Sequence, residues 1–232
     1  MAHRTHGRGG RPLSTRVRTA RGRSLSSTRW LQRQLNDPYV EAARREGYRS
    51  RAAWKLLEMD NRHHFLKPGG RVVDLGAAPG GWCQVAARRV RAVEGMGKVI
   101  GVDLLPIDSI AGCLLAQIDF LEPESEEIIR EMADGPVDVV LSDMAASATG
   151  HRPTDRIRVM ALAEAAADFA GMILALNGAF CAKVLQGGAE SHLLRTLKRE
   201  FTKVSHVKPR ASRPESTELY VLAQGFRGKR VS

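Results

Sequence analysis

Apolar residues in this chain come in short runs and in helical stripes, and their order outlines an alternating fold. Val72 and Val73 lead to Asp74, after which Gly76, Pro79, Gly80 and Gly81 break the pattern within six positions. Trp82, Val85, Ala86 and Val90 then recur at helical spacing. The pattern predicts a buried strand, a tight glycine turn and a helix, the unit that opens many α/β sheets. Upstream, Asp37 and Pro38 predict a helix start that runs to about Gly47. Ser50 is placed to cap a second helix from Arg51 to about Asp60, with Ala53, Trp54 and Leu57 on its buried stripe. Lys55 falls off that stripe and reads, on spacing alone, as a surface lysine.

Downstream, residues 98–103 form a second strand that ends in Asp103, and Asp119 closes a third short one. Residues 123–134 make an acidic helix, and residues 137–143 a fourth strand ending in Asp143. A long helix covers about 155–176. Strand five, residues 178–185, holds Lys183 in an apolar segment. A helix over 189–200 and two last strands, 201–207 and 217–223, complete the alternation, with Glu218 on the same face as Tyr220 and Leu222. Such a series fits a doubly wound, mostly parallel α/β sheet with an antiparallel hairpin at one edge and helices on both faces.

Charge adds a partner class. The chain of 232 residues carries a formal net charge of +11, and a polyanion, by default nucleic acid, is the expected partner. Residues 1–36 contain nine arginines and no Asp or Glu, with Gly, Ser and Thr between them, and read as a disordered basic arm. A transit peptide shares that composition, but the early arginines alternate with glycine and lack an amphipathic stripe. No apolar run has the length of a membrane span, and no basic amphipathic helix with bulky anchors suggests a membrane surface. Cys83, Cys113 and Cys181 are far apart in sequence and apolar in setting, as expected for reduced cysteines of a cytoplasmic protein. Neither they nor the seven histidines show metal-ligand spacing, so no metal is expected; His63 and His64 read as surface residues at a helix end. No sustained heptad demands an oligomer, and a monomer is expected.

The acids carry the chemistry. Asp74, Asp103, Asp119 and Asp143 all fall at carboxyl ends of predicted strands, the edge where open α/β sheets bind ligands. The glycine turn is neither G-x-G-x-x-G nor a P-loop, and Pro79 spoils a helix start built for pyrophosphate. A loop without a phosphate cradle, beside acids suited to ribose and adenine, fits S-adenosylmethionine: an adenosine, a sulfonium and no phosphate. Lys183 must be buried, paired or functional, because a free ammonium is costly to bury.

Four separated motifs extend this reading. Residues 74–82 (Asp-Leu-Gly-Ala-Ala-Pro-Gly-Gly-Trp), Ser142-Asp143-Met144-Ala145, Ala182-Lys183-Val184 and the Glu218-Leu-Tyr-Val stretch resemble, in order, the FtsJ (RrmJ/RlmE) family. Its members are ribose 2′-O-methyltransferases of large-subunit ribosomal RNA. The similarity runs from about Ser26 to Gly225 and includes the Tyr48 to Leu56 helix segment. It implies a Rossmann-like methyltransferase domain over 37–226, followed by a short basic tail, 227–232. Leu104-Leu105-Pro106 and Val184-Leu-Gln-Gly187 favour the ribosomal branch over the tRNA and cap branches. The chain departs from the family at Ala146-Ser147, where many members have Pro and Asn.

The resemblance implies a catalytic tetrad of Lys55, Asp143, Lys183 and Glu218. It also implies cofactor contacts at Gly80, Trp82, Asp103 (ribose), Asp119 (adenine) and Asp143. A ribose hydroxyl needs a base and orientation, while the sulfonium methyl is already activated. Lys183 is the expected base: burial and a second ammonium favour a neutral amine, whereas Asp143 and Glu218 oppose that but fix its position. The implied target is a uridine of the peptidyl-transferase A loop on an assembled large subunit. A tRNA methyltransferase and a non-catalytic ribosome-assembly protein of the same fold are the alternatives, and an intact tetrad argues for an enzyme.

Overall fold

The computed structural model describes residues 24–146, 149–187 and 191–228. The sheet is seven-stranded, in the order β3-β2-β1-β4-β5-β7-β6. Its strands are β1 (Arg71–Leu75), β2 (Lys98–Asp103), β3 (Cys113–Gln117), β4 (Val137–Ser142), β5 (Leu174–Leu185), β6 (Phe201–Val207) and β7 (Glu218–Phe226). The first five are parallel; β7 runs antiparallel to β5, and β6 antiparallel to β7. The expected mixed sheet is therefore present, and its order reverses between β1 and β4, where such folds open a ligand crevice.

Helices cover both faces. On one lie α2 (Pro38–Arg45), α3 (Ala52–His63) and α4 (Gly81–Val90), packed over Val72, Leu141, Cys181, Tyr220 and Leu222. On the other lie α5 (Ser125–Ala133), α6 (Arg152–Ile173) and α7 (Ser191–Glu200), over Val73, Phe180, Val184 and Val221. The apolar residues of β1 and β5 alternate between these two cores, because successive strand side chains point to opposite faces. That alternation puts position 183 on the α3 face.

Several boundaries differ from the sequence reading. A first helix, α1 (Leu25–Leu35), occupies part of the expected disordered arm. Ser24 caps it by accepting from the Ser27 N–H at 3.2 Å, and a cap of this kind satisfies an otherwise orphaned donor. Leu31 and Leu35 sit one turn apart, and the helix contacts α2, so a basic composition did not preclude order. Residues 1–23 of that arm, and 229–232 of the basic tail, lie outside the described residues. β3 ends two residues before Asp119, and β5 begins at Leu174, inside the expected long helix.

Asp37 caps α2 as expected, accepting from the Tyr39 N–H at 3.0 Å. Ser50 does not cap α3, and its hydroxyl has no hydrogen-bond partner among the described residues. The buried stripe of α3 is Ala53, Leu56, Met59 and Asp60, rotated from the expected one; Trp54 and Leu57 are half-buried at its side. Cys83 and Cys113, distant in sequence, are neighbours, the Cys113 thiol lying 3.7 Å from the Cys83 carbonyl. His64 is exposed, in a left-handed conformation that ends α3, while His63 is half-buried. Among the described residues, no helix is long and apolar enough to cross a membrane, and no His, Cys, Asp or Glu group could hold a metal ion.

Candidate active site

Four elements deliver the site. Asp143 follows the last residue of β4, Lys183 lies on the neighbouring β5, and Tyr220 on β7 stands directly opposite Lys183 in register. Glu218 is two residues before Tyr220 and shares its face. Lys55 reaches the same point from α3. The four residues of the implied tetrad therefore converge.

Their contacts form one network. Lys183 Nζ lies 3.2 Å from Asp143 Oδ1 and donates to the Asp143 carbonyl at 2.6 Å. Lys55 Nζ pairs with Glu218 Oε1 at 2.7 Å and lies 3.9 Å from Asp143 Oδ2. The side chains are 9–17% exposed, so these are buried ion pairs rather than surface ones. Spacing alone had put Lys55 on the surface. The rotation of the α3 stripe brings it to the edge of the buried face, where Glu218 receives it.

Sequence reasoning passed over Tyr220 as more than a neighbour of Glu218. Its hydroxyl accepts from Lys55 Nζ at 3.0 Å and donates to Asp143 Oδ1 at 2.8 Å, joining the two halves of the tetrad. The signal lay in the period-2 spacing from Glu218 and in a tyrosine, whose buried hydroxyl needs a partner. Burial first, then the Asp143 and Glu218 carboxylates, push its pKa well above the usual phenol value, so it remains a donor. Ser212 was also missed; its hydroxyl donates to Glu218 Oε1 at 2.8 Å.

Burial on its own would raise the Asp143 carboxyl, but Lys183, Lys55 and the Tyr220 hydroxyl together outweigh it and hold its pKa below the usual value. Asp143 is thus a stable anion. Asp74 is the opposite case. It is wholly buried in β1, with one oxygen 3.2 Å from the Cys83 thiol and the other without a partner among the described residues. Burial, with Asp143 and Asp103 nearby, raises its pKa to about 7 against the Cys83 hydrogen bond.

Beside Asp143 opens a cavity of about 490 Å³ along the carboxyl edge of β1 and β2. Asp103, Asp119 and Asp143 line it, with Gly76, Ala78 and apolar residues such as Ile118 and Phe120. Among the described residues, no lysine or arginine lines it. Asp103 and Asp119 have no cation partner among the described residues, while Asp143 is paired with Lys183 from behind; such a lining disfavours phosphate and suits a cationic ligand. Asp103 accepts from the Ala78 N–H at 2.9 Å and the Leu105 N–H at 2.8 Å, one bond to each oxygen. Each oxygen keeps a further acceptor site, enough for a ribose diol. Asp119 accepts from the Leu121 N–H at 3.0 Å through one oxygen.

Gly80 and Trp82 do not line this cavity. Gly80 has φ 108, open to glycine, and a Cβ there would come within 2.4 Å of Ile110. The Trp82 indole is buried: it donates to the Ala52 carbonyl at 2.8 Å, and its ring lies 5.6 Å from that of Tyr220. Its side chain thus ties the glycine turn to α3 and to the tetrad. Met144 closes over Gly76, where a Cβ would meet its side chain at 2.4 Å. Ser147, part of the departure from the family pattern, lies outside the described residues.

A sheet of this order, with carboxylates along its carboxyl edge, is the Rossmann-like fold of methyltransferases. The chain belongs to the FtsJ-like methyltransferase family, whose profile matches residues 48–226. It is 59% identical over 218 residues to a protein of Azorhizobium caulinodans, covering 94% of this chain and 91% of that one. It is 56% identical over 234 residues to one of a Jannaschia species, covering 99% of each. Both relatives are named Ribosomal RNA large subunit methyltransferase E. A crystal structure of a protein from Plasmodium falciparum, described as a ribosomal RNA methyltransferase, superimposes with a TM-score of 0.70 at 29% identity. That match covers 78% of this chain and all of the other.

Proposed function

We propose that this protein methylates large-subunit ribosomal RNA, transferring the methyl of S-adenosylmethionine to the 2′-hydroxyl of a uridine on the assembled subunit. The observation that carries the reading is the buried network of Lys55, Asp143, Lys183, Glu218 and Tyr220 beside a cavity lined by three carboxylates. The names of the relatives support the ribosomal substrate.

The cavity fits the cofactor. Asp103 would take the ribose hydroxyls, Asp119 the adenine end, and Asp143 would border the sulfonium. Gly80 and Trp82 would complete the site by shaping the turn. When bound, S-adenosylmethionine supplies an activated methyl group.

The residues supply the rest. Lys183, held against the Asp143 carboxylate and carbonyl, accepts the 2′-hydroxyl proton as general base. Asp143 fixes that orientation. Lys55, held by Glu218 and Tyr220, positions the ribose and balances charge.

Incubation with labelled cofactor and, separately, large subunits, free ribosomal RNA and tRNA tests the reading. Label is expected in the large subunit, in a nuclease-resistant dinucleotide carrying a 2′-O-methyluridine. Label confined to tRNA, or to a base, would overturn it.

A further inference from the structure

A groove leaves the tetrad on the side away from the cofactor cavity. It consists of two cavities, of about 420 and 550 Å³, that share Arg33, Arg51, Arg213 and Glu215. Lys55 and Glu218 form its inner end, α1 one wall and residues 210–216 the other. The floor is fixed by Asp37, which pairs with Arg51 and, at 3.5 Å, with Arg213. The Arg51 guanidinium also holds the Ala211 carbonyl, and Glu58 accepts from the Arg210 N–H at 2.5 Å. The second wall is therefore latched to α2 and α3 and is not a loose loop.

Charge then decides what the groove takes. Asp37 is neutralised by Arg51 and Arg213, and Glu218 by Lys55. Among the described residues, the exposed guanidiniums of Arg33 on α1 and Arg210 on the facing wall have no carboxylate partner, and Glu215 is the one lining acid without a cation. Two uncommitted guanidiniums on opposite walls suit a strand of phosphates, and Tyr39 adds an aromatic surface.

Resting on the proposed activity, we infer that α1 and residues 210–216 clamp the single-stranded RNA backbone leading to the target ribose, with Arg33 and Arg210 on its phosphates. The clamp positions the strand and reads no base, since phosphate contacts carry no sequence information. α1 is thereby a wall of the substrate site.

The test measures binding of single-stranded uridine and adenosine oligonucleotides, and of free ribosomal RNA, by the full chain across a salt series. In the Arg33→Ala/Arg210→Ala protein the slope of log affinity against log salt is expected to fall by about 1.4, from about 0.7 per lost phosphate contact. Affinity should weaken about tenfold and equally for both oligonucleotides. The Arg33→Lys/Arg210→Lys protein should recover most of the loss, and Arg195→Ala, on α7 across the sheet, should change nothing. Cofactor affinity, measured in parallel, reports that the fold is intact. An unchanged slope in the double alanine protein overturns the clamp, even if methylation is normal. A wild type that binds with this slope but never methylates ribosomal RNA overturns the proposed activity and leaves the clamp standing.

Discussion

Lys183 makes two contacts with one residue, Asp143: an ion pair with its carboxylate at 3.2 Å and a hydrogen bond to its backbone carbonyl at 2.6 Å. The pair bridges adjacent strands, so the amine is aimed by the sheet itself. Replacement Lys183→Met keeps the stem and removes the proposed base. Methyl transfer should fall by about 10²- to 10⁴-fold, the usual span for a lost general base. Cofactor affinity should persist. A variant with full transfer at unchanged cofactor affinity would remove Lys183 from the base role.

Tyr220→Phe tests the link between the two halves of the network. It deletes the hydroxyl between Lys55 Nζ and Asp143 Oδ1 and leaves both ions their other partners. Loss of buried hydrogen bonds to charged groups should cost about 1–3 kcal/mol in denaturant unfolding. Methyl transfer should fall less than in Lys183→Met. Wild-type stability in this variant would mean that the bridge contributes nothing.

The parts of the site read from sequence were those whose signal is local. The glycine turn after β1 and the acids closing β2 and β4 announce a ligand edge within a few residues. Lys183 stands out because an ammonium does not belong in an apolar strand. Lys55 carries no such mark, and the spacing of Tyr220 from Glu218 does not name its partner: the two meet only when α3 and β7, 165 residues apart, are packed together. A one-residue rotation of the α3 stripe was enough to move Lys55 from apparent surface to site. The same limit hid the contact between Cys83 and Cys113, and composition concealed α1, whose order depends on a cap and on α2 rather than on charge. Motif resemblance supplied the tetrad because it summarises such distant contacts in other chains.

Arg49 holds the glycine turn beside the proposed cofactor site from outside. Its guanidinium donates to the Asp108 and Ser109 carbonyls at 2.7 Å and to the Pro79 carbonyl at 3.3 Å, joining the glycine turn to the segment after β2. Arg49→Ala should loosen both walls of the proposed cofactor cavity. An increase of about tenfold in the cofactor Kd, about 1.4 kcal/mol, is expected from calorimetric titration. RNA affinity measured without cofactor should change little, and the opposite pattern would place Arg49 in the RNA site.

Asp74 makes stability depend on pH. Its folded pKa of about 7 lies above the usual carboxylate value of 3.8, so the native state holds its proton where the unfolded chain has lost it. The protonated state favours folding: this contribution is complete below the unfolded value and disappears as pH rises through about 7. Burial is the main cause of the shift; the Cys83 thiol on α4 opposes it, and Asp143 after β4 and Asp103 at the end of β2 add to it. The three-unit difference corresponds to about 4 kcal/mol as an upper bound, at about 1.4 kcal/mol per unit. Asp74→Asn presents a neutral side chain at every pH. Its stability relative to wild type should therefore improve from pH 4 to pH 8, with most of the gain complete near pH 7. Thermal unfolding of both proteins across that range measures it. A difference in Tm that stays constant with pH would mean that Asp74 does not titrate there.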